Sequence, residues 1–165
     1  MKNLLLQKLM MSYMAIDNES TYRYMGWISL YNKQEKKHDA VKYWYRGFRK
    51  QGGIIYTTDY VLDETFTLLF RRTPFDLAAE AMTTIEDAID KGYLVLERIT
   101  PDRFEKTKKL RLKSRDKNLV SFTDLTSVVV MIEKEIETIL TEDDHFTYLE
   151  GGFQQTQLNE NKVHK

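Results

Sequence analysis

Four acidic residues at the edges of apolar segments are the residues of this sequence best suited to metal chemistry. They are Glu64 in T-T-D-Y-V-L-D-E-T, Asp124 in S-F-T-D-L-T-S, and Asp143 with Asp144 in T-E-D-D-H-F. A carboxylate that faces a protein core costs free energy unless it is paired or binds a cation. Three such groups brought to one point would form an all-oxygen site suited to Mg²⁺ or Mn²⁺. The sequence therefore raises the hypothesis of a hard-metal centre.

Each of these acids also has an ordinary structural explanation. Glu64 lies one step off an apolar helical stripe and fits a boundary glutamate whose carboxylate reaches water. Asp124 fits an acid in the first turn of a helix, where the helix dipole favours it. Asp143 and Asp144 fit a polar turn. His145 beside them is more typical of a structural hydrogen bond than of a ligand to a hard cation.

A strongly basic segment precedes Asp124 in the chain. Its candidate RNA-binding residues are Lys108, Lys109, Arg111, Lys113 and Arg115. Two explanations fit: a solvated helix face, or a surface that contacts phosphates and leads towards Asp124. The whole chain balances 25 Lys and Arg against 25 Asp and Glu, so only this local patch argues for a nucleic-acid partner.

Composition narrows the class of protein. The 165 residues contain no cysteine, which excludes disulfide scaffolds, zinc-thiolate sites and cysteine nucleophiles. The length fits a single domain, expected over residues 1–153, followed by a polar tail at 154–165. No apolar run approaches the roughly 20 residues of a membrane span. Gln7 and Lys8 interrupt the first apolar run, so no signal peptide is expected. The expected protein is therefore soluble and cytoplasmic.

Helical and strand patterns alternate along the chain. Helices are expected at 36–50, from Thr57 or Thr58 to Arg72, and from Pro74 to Lys91. Two more are expected, one after Thr100 and one after either Ser121 or Thr123. Short strands are expected at 12–17, 54–56, 93–99 and 136–140. This alternation predicts an α/β fold with a mainly parallel sheet. Sites in such folds form at the carboxyl ends of the strands, near which the candidate acids lie.

Taken together, four segments resemble the PIN-domain family, and within it the VapC-like bacterial branch. They are W-I-S-L-Y-N-K at 27–33 with His38 and Ala40, the acidic helix at 56–69, D-K-N-L-V-S-F-T-D-L-T-S at 116–127, and T-E-D-D-H-F-T-Y-L-E-G-G-F at 141–153. The resemblance covers residues 27–153 and leaves 1–26 atypical. It implies a three-layer α/β/α sandwich and a ribonuclease that uses Mg²⁺ or Mn²⁺.

The same resemblance implies roles for particular residues. Glu64, Asp124 and Asp143 match the metal-binding acids of the family, and Asp144 falls at the variable position after the last of them. A family hydroxyl near the third acid loosely matches Thr123 or Ser127. The family also implies RNA as substrate, an antitoxin protein as partner and a homodimer, for which the aromatic helix at 40–48 offers an apolar surface.

One family position is not matched. The first strand of the family ends in an aspartate about four residues before an aromatic such as Trp27, and Arg23 stands there in this chain. The nearest aspartate is Asp17. Two alternatives follow: an insertion has moved the first acid to Asp17, or the first acid is lost. In the second case the chain would be a degenerate PIN fold that acts as an RNA-binding or protein-interaction module.

Overall fold

The computed structural model describes residues 19–22, 38–117, 120–140, 149 and 153–155 of the chain. Five strands and five helices lie in these ranges. In chain order they are β1 (Glu19–Tyr22), α1 (His38–Lys50), β2 (Ile54–Thr58), α2 (Asp59–Arg72), α3 (Phe75–Asp90), β3 (Val95–Glu97), α4 (Pro101–Lys113), α5 (Phe122–Lys134), β4 (Thr138–Leu140) and β5 (Gln154–Gln155).

The strands form one parallel sheet in the order β3-β2-β1-β4-β5. In the register, Glu19 pairs with Ile54 at one end of β1, and Tyr22 pairs with Leu140 at the other. Because all the strands run the same way, the residues that follow Tyr22, Thr58 and Leu140 leave the sheet from the same edge. The predicted mainly parallel sheet is confirmed, and its carboxyl edge is defined.

Two apolar cores cover the two faces of this sheet. One joins α1, α2 and α3 to Ile55 of β2, and the other joins α4 and α5 to Ile139 of β4 and to Tyr56 of β2. Ile55 and Tyr56 enter opposite cores because neighbouring side chains of a strand point to opposite faces. Helices therefore lie on both faces, and the predicted three-layer α/β/α sandwich is confirmed.

Local capping chemistry explains where the helices begin. The Thr58 hydroxyl accepts a hydrogen bond from Val61 N (3.1 Å), so α2 starts directly after β2 without a loop. Thr100 caps α4 in the same way and is followed by Pro101, whose fixed φ and missing N–H suit a first helical position. Pro74 precedes α3, and Ser121 caps α5. These starting points agree with the sequence predictions.

The strands differ more from prediction than the helices do. A strand was expected at 12–17, which lies outside the described residues, whereas β1 occupies Glu19–Tyr22. Strands β3 and β4 are shorter than expected, with three residues each. Gln154 and Gln155, predicted to begin a polar tail, pair with β4 instead. Backbone pairing at a sheet edge needs no apolar side chains, which is why this strand has no hydrophobic signature.

Most of the apolar stripe of helix α1 is buried in the core. Ala40, Val41 and Phe48 are buried, and Trp44 stacks on Phe48 with ring centroids 5.7 Å apart. Tyr43, off the stripe, is 52% exposed. Gly53 lies so close to the Phe48 ring that an added Cβ would overlap it. The apolar surface that this helix offers to a partner is therefore smaller than its composition suggests.

Candidate active site

Glu64 lies in the second turn of α2, which leaves the carboxyl edge of the sheet directly after β2. Its neighbours Val61 and Thr65 are buried, and the Thr65 hydroxyl donates to the Val61 carbonyl (2.7 Å). Glu64 itself is half-buried, and its Oε2 atom is shielded from solvent. A boundary glutamate was one of the two expectations, but a carboxylate oxygen turned into the protein goes further than that explanation requires.

Asp124 lies in the first turn of α5 and is only 2% exposed. Its Oδ2 atom accepts hydrogen bonds from the backbone N–H of Ser121 (2.8 Å) and from the Ser121 hydroxyl (2.7 Å). The Ser121 hydroxyl in turn accepts from Asp124 N (3.1 Å), which completes a capping box. The Oδ1 atom is buried and lies outside this box. One carboxylate oxygen thus stabilises the helix, and the other points elsewhere.

The helices that carry these two acids touch each other. Helix α2 packs against α5, and α5 also contacts β1 and β2. The two half-buried or buried carboxylates are therefore brought to neighbouring helices around the centre of the sheet. Their donor set is oxygen only, which is the chemistry that Mg²⁺ and Mn²⁺ prefer. The described residues contain no group of three acidic, histidine or cysteine side chains close enough to hold a metal.

The remaining acids of the predicted site, Asp17, Asp143 and Asp144, lie outside the described residues. Their positions along the chain are nevertheless informative. Asp143 comes three residues after Leu140, the last residue of β4. Asp17 comes two residues before Glu19, the first residue of β1, and so precedes the opposite end of its strand.

The hydroxyl groups near Asp124 are bonded to the backbone. Thr126 Oγ1 donates to the Thr123 carbonyl at 2.6 Å, and Ser127 Oγ donates to the same oxygen at 3.3 Å. Both side chains are buried. Hydroxyls of Thr and Ser within a helix commonly bond a carbonyl three or four residues earlier in this way, and these two hydrogen bonds are of that kind.

The basic residues between 108 and 115 differ in the partners they bond. Arg111 donates to the carbonyl oxygens of Ser114, Lys117 and Val120 (2.5, 3.1 and 3.0 Å), and so it shapes the turn that leads into α5. Lys108 pairs with Glu105 on the surface. Within the described ranges, Lys109, Lys113 and Arg115 have no ion-pair partner, which leaves their charges available to a phosphate backbone.

An ion network that the sequence did not reveal links β3, α4 and α5. The Arg103 guanidinium contacts Glu97 (2.9 Å) and Glu133 (2.7 Å), while Lys134 contacts Glu97 (2.8 Å) and Lys106 contacts Glu133 (2.7 Å). Burial by itself raises the pKa of Glu97, but the hydrogen bonds and charges of Lys134 and Arg103 outweigh it and hold that pKa below its usual value. The pKa of Glu133 is lowered in the same way.

Three aromatic side chains form a second feature that the sequence did not reveal. Phe104 of α4 lies 5.2 Å from Phe122 of α5 and 6.4 Å from Tyr60 of α2, measured between ring centroids, with the ring planes tilted by 55° and 50°. We call these three residues the ring cluster. Each lies in the first turn of its helix, and that shared placement was the signal available in the sequence.

An acidic groove of about 360 Å³, which Arg98 also lines, lies between α2 and α3. Asp59, Asp63, Glu86 and Asp90 line it above an apolar floor. Neither Glu64 nor Asp124 contributes to it, and its four carboxylates do not group closely enough to hold a metal. Among the described helices, none is long and apolar enough to cross a membrane.

Comparison with known proteins supports one family. A family model described as the PIN domain matches residues 27–151. The fold is similar to the crystal structure of Mycobacterium tuberculosis VapC20, which is described as a toxin that cleaves the sarcin-ricin loop. The two chains are 28% identical, the match covers 82% of this chain and 97% of that one, and the TM-score is 0.67. No curated protein sequence matches this chain significantly.

Proposed function

This chain belongs to the PIN domain family, in its VapC-like branch, and from that premise we propose that it is a divalent-metal-dependent endoribonuclease that hydrolyses RNA phosphodiester bonds. The observation that carries the proposal is the pair formed by Glu64 and Asp124. They lie on helices in contact, and each turns one carboxylate oxygen into the protein. The description of VapC20 as an RNA-cleaving toxin supports the same activity and suggests a toxin role.

The donor set fits Mg²⁺ or Mn²⁺. Glu64 and Asp124 supply hard carboxylate oxygens, and Asp143 follows β4 at the carboxyl edge, where it would add a third. Clustered carboxylates repel one another and repel a phosphate, so a cation between them would relieve both costs. Bound there, it would supply Lewis acidity for phosphodiester hydrolysis.

The chain's own residues would position the substrate and the acids. The capping box holds the Asp124 carboxylate in one orientation, so that Oδ1 faces away from the helix start. Lys109, Lys113 and Arg115 would bind the RNA backbone as mobile charges, with Lys108 released from its exposed pair with Glu105. Arg111 contributes indirectly, because its guanidinium shapes the turn before α5.

Several finer assignments extend the proposal. Asp144, Thr123 and Ser127 would be secondary residues beside the acids. An antitoxin peptide would inhibit the enzyme by covering the acidic edge, and a second copy of the chain would pair through the exposed part of α1 around Tyr43. We also propose a cytoplasmic location, because the sequence has neither a signal-peptide pattern nor a membrane-span pattern.

The test is metal-dependent RNA cleavage by purified variants. Glu64→Gln and Asp124→Asn are each expected to lower the cleavage rate in Mn²⁺ by about a hundredfold or more, since loss of even an outer-shell partner of a metal ligand costs about 10- to 100-fold. Asp63→Asn is the matched control, since Asp63 neighbours Glu64 on α2 but is exposed and points into the separate acidic groove. Undiminished cleavage by the double variant Glu64→Gln/Asp124→Asn would refute the assignment.

The basic face is tested through the salt dependence of binding. Each phosphate contact contributes about 0.7 to the slope of log affinity against log salt for a single strand. Lys109→Ala and Lys113→Ala are each expected to reduce that slope by about this amount. A slope that is unchanged in the double variant would place the RNA on another surface.

A degenerate PIN fold that binds RNA or protein without cleavage is the alternative function. It is favoured by one observation: β1 is followed by Arg23 rather than an acid, and Asp17 precedes the strand. Calorimetric titration with Mn²⁺ separates the two functions. Saturable binding that Asp124→Asn abolishes supports the enzyme, whereas the absence of binding below millimolar metal supports the module. Loss of binding in Asp17→Asn would further show that Asp17 completes the site.

A further inference from the structure

We propose that the ring cluster, Tyr60, Phe104 and Phe122, is a stacking platform for an unpaired nucleobase of the RNA beside the scissile bond. This inference rests on the proposed ribonuclease function and adds to it a binding site for the base, whereas the acids and lysines address only the sugar-phosphate backbone.

The ring cluster shares its helices with both described acids. Tyr60 precedes Glu64 by four residues, so the two share a face of α2 about 6 Å apart along the helix axis. Phe122 precedes Asp124 by two residues in the first turn of α5. Phe104 lies between the other two rings and joins them. The rings therefore bridge the starts of the two helices that carry the acids.

The exposure of the cluster is unlike that of a core contact. Phe104 is 36% exposed, and Tyr60 and Phe122 are half-buried. The aliphatic residues of α5, by contrast, are mostly fully buried, so packing against α5 can cover apolar side chains completely. Leaving aromatic surface in water beside a polar edge costs free energy that a stacked base would recover. Aromatic rings suit this use because every nucleobase has a π face.

Two exposed cations lie near residues of the ring cluster, one through the neighbour of Tyr60 and one along α4. Arg98 is 70% exposed and approaches Asp59, the residue before Tyr60, at 3.8 Å. Lys108 lies one turn after Phe104 on α4, with a side chain that is 51% exposed. Both charges are free to contact the phosphates on either side of a stacked base, because exposed ion pairs hold their partners weakly. A base inside a duplex is covered on both faces, so this platform selects unpaired nucleotides.

The experiment compares two probes that carry the same phosphates. A labelled single-stranded oligoribonucleotide and its abasic counterpart are titrated with the full-length protein in EDTA, so that binding is measured without cleavage. Phe104→Leu is expected to weaken binding of the base-bearing strand by about five- to a hundredfold, the range for loss of one stacked base, and to leave the abasic strand unchanged. Tyr60→Phe keeps the ring and is expected to bind like wild type.

Phe70→Leu is the matched control. Phe70 is 38% exposed and also packs against another ring, that of Phe75 at 5.4 Å, but it lies at the far end of α2. Its substitution is expected to change neither titration. The melting temperature of each variant reports whether folding is intact, and Phe104→Trp serves if Phe104→Leu does not fold: a larger ring is expected to strengthen binding of the base-bearing strand alone.

Two results would overturn the platform. One is equal affinity of the Phe104 variants and wild type for the base-bearing strand, and the other is an equal loss on both probes, which marks a structural role. Failure of the platform is distinct from failure of the proposed function. If only the platform fails, wild type and Phe104→Leu still cleave RNA in Mn²⁺ at the same rate. If the proposed function fails, wild type does not cleave at all.

Discussion

Asp124 has a capping role in the structure, and the proposed function gives the same carboxylate a metal-binding role that mutation can separate from it. Its Oδ2 atom completes the capping box with Ser121, whereas its buried Oδ1 atom is the proposed metal ligand. Asp124→Asn keeps an oxygen for the capping box and removes the negative charge. Ser121→Ala removes the hydroxyl of the box and leaves the carboxylate. Asp124→Asn should therefore lose the response to metal while keeping the helix cap, and Ser121→Ala should lose the helix cap while keeping the response to metal.

The structure sets the size of each effect on stability. Ser121→Ala deletes the hydroxyl that accepts from Asp124 N, and loss of such a cap costs about 1 kcal/mol. For a chain of this length that lowers the melting temperature by about 2–4 °C. Asp124→Asn loses the favourable interaction of its charge with the helix dipole, about 0.3–1 kcal/mol. It also no longer has to bury a charge, which offsets that loss. Its melting temperature without metal should therefore stay close to that of wild type.

Thermal unfolding with and without MnCl₂ measures both roles at once. A metal present at a hundred times its dissociation constant stabilises the folded state by about 2.7 kcal/mol. At about 2–4 °C per kcal/mol, that raises the melting temperature of wild type by about 5–10 °C. Ser121→Ala should start lower and show the same rise. Asp124→Asn should start near wild type and show little or none, with RNA cleavage lost in parallel.

The reverse pattern would refute this division of roles. If Asp124→Asn keeps the full Mn²⁺-dependent rise and the cleavage activity, Asp124 is only a capping residue, and the metal site lies elsewhere. If Ser121→Ala abolishes the rise without unfolding the protein, the capping box rather than the carboxylate governs the metal response. Either outcome is visible in the same set of melting curves.

Three further predictions concern the scaffold. Glu97→Gln should lower the melting temperature at neutral pH, because the folded pKa of Glu97 lies below its usual 4.5. In an acid titration followed by circular dichroism, the difference from wild type should shrink below about pH 4, and a constant difference would contradict this. Arg111→Lys replaces a guanidinium bonded to three carbonyls, so it should cost about 1.5–3 kcal/mol and speed hydrogen exchange over 114–120, unlike a surface lysine change. Gly53→Ala would force a methyl group into the buried ring of Phe48, and chemical denaturation should show a loss of about 1–3 kcal/mol; wild-type stability would mean that the ring can move aside.

Helix boundaries were predictable because their signals are local. Thr58, Thr100 and Ser121 each lie just before an apolar-periodic segment, and the hydroxyl that caps a helix bonds a backbone N–H only two or three residues away. The family was also predictable, since its acidic segments keep their order along the chain. Strand β5 was not predictable, because its pairing with β4 is made by backbone atoms and leaves no trace in side-chain type.

The interactions between distant segments could not be read from the sequence. Arg111 was interpreted as an RNA contact, yet its guanidinium binds carbonyls up to nine residues away. The Arg103 network joins residues that are about thirty positions apart, and the ring cluster joins three helices. Charge or aromaticity alone does not distinguish a partner in the protein from a partner in solution, because both use the same chemistry.

The sequence by itself determined the family, the order of helices and strands, and the identity of Glu64, Asp124 and Asp143 as the acids to consider, since these depend on residue type and local spacing. Only the tertiary structure decided how Asp124 divides its two oxygens, which cations of α4 remain available, and that Tyr60, Phe104 and Phe122 meet. Burial and partner choice arise when helices from distant parts of the chain pack on one sheet, and no local pattern specifies them.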